Sequence, residues 1–294
     1  MNLASLFKDR PPAYGIEISE EGIAIADVAK AQQMGRSGTC PTTEFRPLTP
    51  GTISVSPLRD NILMPDELAA AVRALAPANG KRKDMALILP DYCARVVVLD
   101  FDKFPSDGKE QLSLVRFRLK KSVPFDVESA AVGYWPQTAI NGKLDVVAAV
   151  APLEIIARYE APFRAAGMNP GFVTTSALAM LALVEGRQLT VVAKLSGKIL
   201  TLMVVNGGVL KLIRCIEFGD LTGDLYSTFA YVEDQLGAKA QLLLLCGFGA
   251  ETEERQRQFQ KELGIQVEAL QSLVGIPAEA NAGLIGYLQG AMGK

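Results

Sequence analysis

Histidine is absent from all 294 residues, and that absence removes the usual general base and the commonest metal ligand. Ser-His-Asp and Cys-His nucleophiles and His-ligated metal centres are thereby excluded. Cysteine is scarce. Cys40, Cys93, Cys215 and Cys246 lie far apart with no C-x-x-C pair, which argues against a zinc site or a disulfide framework and for a reducing compartment. Net charge is nearly lacking, at −2, so overall electrostatics offer nothing to nucleic acid. Long hydrophobic runs are missing too. The longest candidate, Val146 to Ala157, is broken by Pro152 and Glu154, short of the roughly 18 apolar residues a spanning helix needs. The apolar part of Met1 to Arg10 is too short for a signal peptide. A cytoplasmic protein is expected.

What is present is an ordinary globular composition, 49% apolar and 21% charged, and enough chain for two domains with a sizeable core. Local basic clusters, Lys81 to Lys83 and Arg116, Arg118, Lys120 and Lys121, read as solvated faces.

The most informative stretch is Met85 to Trp135. Met85-Ala-Leu-Ile-Leu-Pro90 and Arg95-Val-Val-Val-Leu99 read as two strands. Leu112, Val115 and Leu119 mark one face of a helix over Lys109 to Lys121, which Pro124 must end and whose basic last turns suit a helix C-terminus. A Val123-Pro-Phe-Asp126 turn leads to an aromatic strand, Ala130 to Trp135.

Ahead of it, Tyr14 to Ser19 and Ile23 to Val28 form a hairpin through Glu20-Glu21-Gly22. Ala29 to Pro50 reads as a polar loop with one edge strand near Thr43 to Arg46, and Pro65 to Leu75 as a helix opened by proline and an acidic pair. Behind it come a strand at Leu144 to Val150, a helix from Leu153 to Ala166 closed by Gly167, a strand at Asn169 to Thr174 and a helix at Ser176 to Val184. This alternation implies parallel pairing. Three strands follow, Leu189 to Ala193, Ile199 to Val205 and Val209 to Glu217. After them come a helix over Leu221 to Leu236, a strand over Leu242 to Cys246, a helix over Glu251 to Leu263 and a strand over Gln266 to Leu270. A last helix, Ala278 to Met292, is weakened by glycines.

The 85–135 stretch, the Pro50-Gly-Thr-Ile53 link, the Ala165-Ala-Gly-Met-Asn-Pro170 segment and Leu6-Phe7-Lys8 ahead of the first strand together resemble the PilM family, the actin-like proteins of type IV pilus assembly. The resemblance implies an α/β fold. It would be the actin-like (ribonuclease H-like) duplicated two-domain fold with mixed sheets and an added small α+β subdomain. On this division residues 1–174 form the first half, with the subdomain inserted at about 85–140, and 175–294 the second. The C-terminal helix either stays with the second half or packs back on the first.

Actin-like enzymes hold Mg·ATP between their halves with an acidic residue in each phosphate loop and glycines around the nucleotide. Carried onto this chain, the first loop reads Glu17-Ile18-Ser19 and the second Lys194-Leu195-Ser196-Gly197. The adenosine-side turn reads Gly247-Phe248-Gly249. Serine replaces glycine at Ser19, and lysine cannot ligate magnesium. The site Glu17, Ser19, Lys194, Ser196, Gly197, Gly247 and Gly249 is therefore expected to be degenerate, with no catalytic residue, no metal site, no hydrolysis and no required cofactor, ATP and Mg²⁺ being at most weak ligands.

The resemblance further implies a scaffold that binds the cytoplasmic tail of a PilN-like bitopic inner-membrane protein, and so lies at the inner membrane only through that partner. Val123, Pro124, Phe125 and Trp135 are expected to line the groove, with Arg116 and Lys120 at its rim. The alternatives are the cytoplasmic actin-like part of a type II secretion platform, or an ATP-binding ATPase or kinase of the actin superfamily.

Overall fold

The computed structural model describes residues 11–12, 14–36, 43–75, 83–137, 143–185 and 188–292. The Leu6-Phe7-Lys8 stretch, Cys40, Lys81 and Arg82 lie outside them.

The hairpin is β1 (Tyr14–Ile18) and β2 (Gly22–Asp27), and α1 (Val28–Arg36) follows at once where the polar composition suggests a loop. The Asp27 carboxylate accepts from the N–H groups of Ala29 and Lys30 at 2.9 and 3.1 Å, which starts the helix, and Ala31 is buried. Next come β3 (Glu44–Pro47), α2 (Pro65–Leu75) and β4 (Lys83–Leu89). Then β5 (Arg95–Phe101), α3 (Gly108–Leu119), β6 (Ala130–Pro136) and β7 (Leu144–Pro152) lead to α4 (Leu153–Ala165), β8 (Met168–Thr175) and α5 (Ser176–Met180).

The first sheet has the order β3-β2-β1-β4-β8, with β1, β4 and β8 mutually parallel. All five side chains from Met85 to Leu89 are buried, as a strand covered on both faces requires. Met85, Leu87 and Leu89 meet α2 and α4, whose Leu68, Val72, Tyr159 and Phe163 share their core, whereas Ala86 and Ile88 face the other way.

The second repeat runs β9 (Thr190–Ser196), β10 (Ile199–Asn206), β11 (Val209–Glu217), α6 (Leu221–Leu236), β12 (Leu242–Cys246), α7 (Thr252–Leu263), β13 (Gln266–Ala269) and α8 (Ala282–Ala291). Its sheet order, β11-β10-β9-β12-β13, is that of the first sheet. The insertion is a separate antiparallel sheet, β5-β7-β6, with Val115 and Leu119 of α3 packed among Leu99, Val146 and Ala148 on one face.

Two expected boundaries move. The insertion begins after β4 and includes β7, so it spans Arg95 to Pro152 rather than about 85–140. The 85–90 strand pairs with β1 and β8 in the first sheet and not with β5. The repeats divide after α5, not at residue 174. That helix closes the first repeat as α8 closes the second, and the two pack together. α8 also lies against β1, β2 and α1, so the chain's last helix returns to the first lobe. One continuous core runs from Ala86 and Ile88 through α5 and α8 to Val192, Met203 and Leu244 of the second sheet.

Candidate functional site

The corresponding central strands of the two sheets, β1 and β9, present Glu17 and Lys194 to the cleft between the lobes. Both side chains are buried, at 1% and 2% exposure, and so is Asp91, at 6%. Asp91 lies in the short turn after β4. Its Oδ2 accepts from Lys194 Nζ at 2.8 Å and from Thr201 Oγ1 at 3.3 Å, and its Oδ1 accepts from the Ala177 N–H at 2.6 Å. Glu17 accepts from Ser176 Oγ at 2.5 Å and from the Leu284 N–H at 2.6 Å, in the first turn of α8. Every member of this cluster is thus fastened by neighbours from elsewhere in the chain. Lys194 is opposite Thr201 in the sheet register, which delivers both groups to Asp91.

Burial by itself draws the Lys194 ammonium toward neutrality, and the Asp91 and Glu17 carboxylates more than reverse it, leaving its pKa raised. For Glu17, burial pushes the pKa up, and Lys194, Ser176 and the Leu284 amide oppose it only in part. The ion pair that carries the cluster is therefore Lys194 with Asp91.

The turns that would face a nucleotide are filled from within. Ser19 Oγ accepts from the Gly22 N–H at 3.1 Å, closing the first hairpin on itself. In the second, Gly197 takes positive φ, at 54°, and its N–H donates to the Glu279 carboxylate. Ser196 stands at the end of β9, paired with Ile199 across the hairpin. A Cβ on Gly247 would fall 2.1 Å from the Leu195 carbonyl oxygen, so that glycine lets the turn after β12 pack on the end of β9. Gly249 has open space around it. Among the described residues no group of three or more Asp, Glu or Cys side chains is placed to hold a metal ion.

The expected groove is divided by the structure. Val123, Pro124 and Phe125 line a cavity of about 220 Å³, with Tyr92, Thr201 and Cys215 on its other side. Trp135 lines a different one, of about 370 Å³, against Val147, Ala149, Phe172 and Leu178. Strand alternation is the reason. Ala130, Val132 and Tyr134 face the core under α3, which leaves Ala131, Gly133 and Trp135 on the opposite face. Arg116 and Lys120 rim neither cavity. Arg116 donates to the carbonyls of Val127 and Glu128 at 3.0 and 2.8 Å, and Lys120 pairs with Glu128 at 2.8 Å. The larger cavity lies between β6 and β8, each the last strand of its sheet among the described residues.

Sequence reasoning missed Asp91, Ser176, Thr201 and Glu279. The available signal was an aspartate directly after Pro90 at a strand end. Its partners, more than 80 residues away, carry no local mark.

Five-stranded sheets of the same order in both repeats, facing each other across Glu17 and Lys194, define the actin-like ATPase fold. No protein-family model and no curated protein matches the sequence, so the comparisons are structural. Within that fold the chain is similar to the structure titled "PilM-PilN type IV pilus biogenesis complex", with TM-score 0.74 and 16% identity over 97% of this chain and 98% of that one. A Bacteroides thetaiotaomicron protein of actin-like ATPase fold and unknown function gives TM-score 0.56 and 13% identity, over 95% of this chain and 96% of its own. At these identities the likeness is one of fold.

Proposed function

We propose that this protein is a non-catalytic, cytoplasmic scaffold of a type IV pilus assembly platform, holding the cytoplasmic tail of a PilN-like inner-membrane protein. The observation that carries this reading is the apolar groove of about 370 Å³ between the inserted sheet and the first lobe, in a chain similar over 97% of its length to a chain of the structure titled "PilM-PilN type IV pilus biogenesis complex". An extended peptide there would meet the outer edges of β6 and β8 and set alternate side chains against Trp135, Phe172 and Leu178. Each apolar side chain it buries would contribute about 1.5–3 kcal/mol. Loss of ATP hydrolysis belongs to the same proposal, since β9 offers a paired ammonium where a metal-binding carboxylate would be needed.

The test is titration of a fluorescent peptide copying the tail of a PilN-like protein encoded beside this one. Trp135→Ala and Phe172→Ala are expected to weaken binding roughly 10- to 100-fold, whereas Phe125→Ala, in the other cavity, leaves it unchanged. Unchanged affinity in a well-folded Trp135→Ala variant would remove the groove from the proposal. Calorimetry with Mg·ATP is expected to show no binding tighter than high micromolar, and clear turnover would restore the enzyme.

A further inference from the structure

Two features of the cleft have the form of binding sites and are both occupied by the chain itself. Interior carboxyl groups, Glu17 and Asp91, call for a cation beside them, because an uncompensated carboxylate cannot be held out of water. A glycine turn with positive φ whose N–H is bonded by a carboxylate side chain, at Gly197, is a seat for an anion. We infer that the cleft carries its own internal ligands, Lys194 serving as the cation and the Glu279 carboxyl as the acceptor in the anion seat, so that the lobes stay joined and the peptide groove stays formed without nucleotide.

The connections support this. Asp91 sits at the base of the insertion and takes Lys194 and Thr201 from the second sheet, while Glu17 in the first sheet takes the Leu284 N–H at the start of α8. The insertion is fastened to the second lobe independently. Buried Gln137 exchanges two hydrogen bonds of 2.8 Å with the backbone of Leu210, and Lys211 pairs with Asp145 at 2.5 Å. The groove's floor is thereby tied to both lobes by side chains. Asp91 takes Lys194 and Thr201, and Glu279 takes Gly197, three residues along from Lys194, so the cleft's partners come from separate segments of the chain.

The inference deepens the proposed function and rests on its nucleotide-independence, but the two fail separately, since peptide binding reads Trp135 and the internal ligands are read at Lys194 and Glu279. The first arm is thermal melting of the full chain with and without MgCl₂. Lys194→Ala leaves Glu17 and Asp91 facing an empty position. It is expected to melt roughly 5–15 °C lower and to recover part of that loss on adding Mg²⁺, whereas the wild-type midpoint does not respond. A variant as stable as wild type, or a wild type raised equally by Mg²⁺, overturns the inference.

The second arm does not depend on that variant folding. Glu279 is on a surface loop, and in Glu279→Ala the Gly197 amide is expected to exchange with solvent at least about 10-fold faster. Inorganic phosphate is expected to slow that exchange in the variant and not in wild type. Unchanged exchange, or equal protection of both proteins by phosphate, overturns the anion half.

Discussion

At the scale of single residues, Lys194 is the informative departure. Its position on β9 corresponds to that of Glu17 on β1, and a lysine there is incompatible with magnesium. What cannot be read from the position is where the ammonium goes. It is neutralised by Asp91, 103 residues away in the chain, on the far side of the cleft. Glu279 has the opposite electrostatics. Burial raises its pKa above the ordinary 4.5, Glu21 and Glu20 add to the rise, and the Gly197 amide and Lys194 oppose it. A carboxyl whose folded pKa exceeds its unfolded one lends stability that is complete below the unfolded value and is lost as pH climbs through the folded one. Glu279→Gln keeps an acceptor for the Gly197 amide and abolishes the titration. Its melting temperature relative to wild type is therefore expected to rise as pH climbs above the ordinary carboxyl value of 4.5, and a flat or falling difference in a melting series would contradict this assignment.

At the scale of elements, α8 shows how glycine can be misread. Its glycines weaken the isolated helix, yet they also let it cross α5 closely. A Cβ at Gly286 would lie 2.3 Å from the Ala179 carbonyl oxygen, and one at Gly283 2.7 Å from Ser176 Cα. Alanine gains up to about 1 kcal/mol of helix propensity, but backbone cannot yield as a side-chain tip does, so overpacking prevails. Gly286→Ala is expected to lose about 1–3 kcal/mol, measured by denaturant titration. Gly108→Ala, at the first residue of α3 with open space around it, is expected to be neutral or slightly stabilising. The strand and helix periods of β4, β5, α3 and β6 were legible in sequence, and α1 had a readable start in Asp27. The pairing of β4 with β1 instead of β5 was not, because an apolar strand run does not name its partner.

At the scale of the whole molecule, three sheets are joined by a few polar contacts and one shared core. Gln137 is the clearest fastening between the insertion and the second lobe, since its side-chain amide satisfies both the N–H and the C=O of Leu210. Gln137→Ala leaves those two groups unpaired. About 1–3 kcal/mol of stability is expected to be lost for each group that water cannot reach, with faster amide exchange at Leu210 while the first sheet keeps its protection. Uniform loss of protection across both lobes would show that the contact is not specific to this joint.

The order of strands and helices apart from α1, the unfitness of Lys194 for magnesium and the lack of histidine chemistry were determined by sequence alone, because each follows from residue type and local periodicity. Which boundary the insertion has, that Trp135 and Phe125 belong to separate cavities, and that Asp91 and Glu279 complete the cleft were decided only by the tertiary structure. Strand alternation and packing bring together groups whose separation along the chain carries no information about their distance in space.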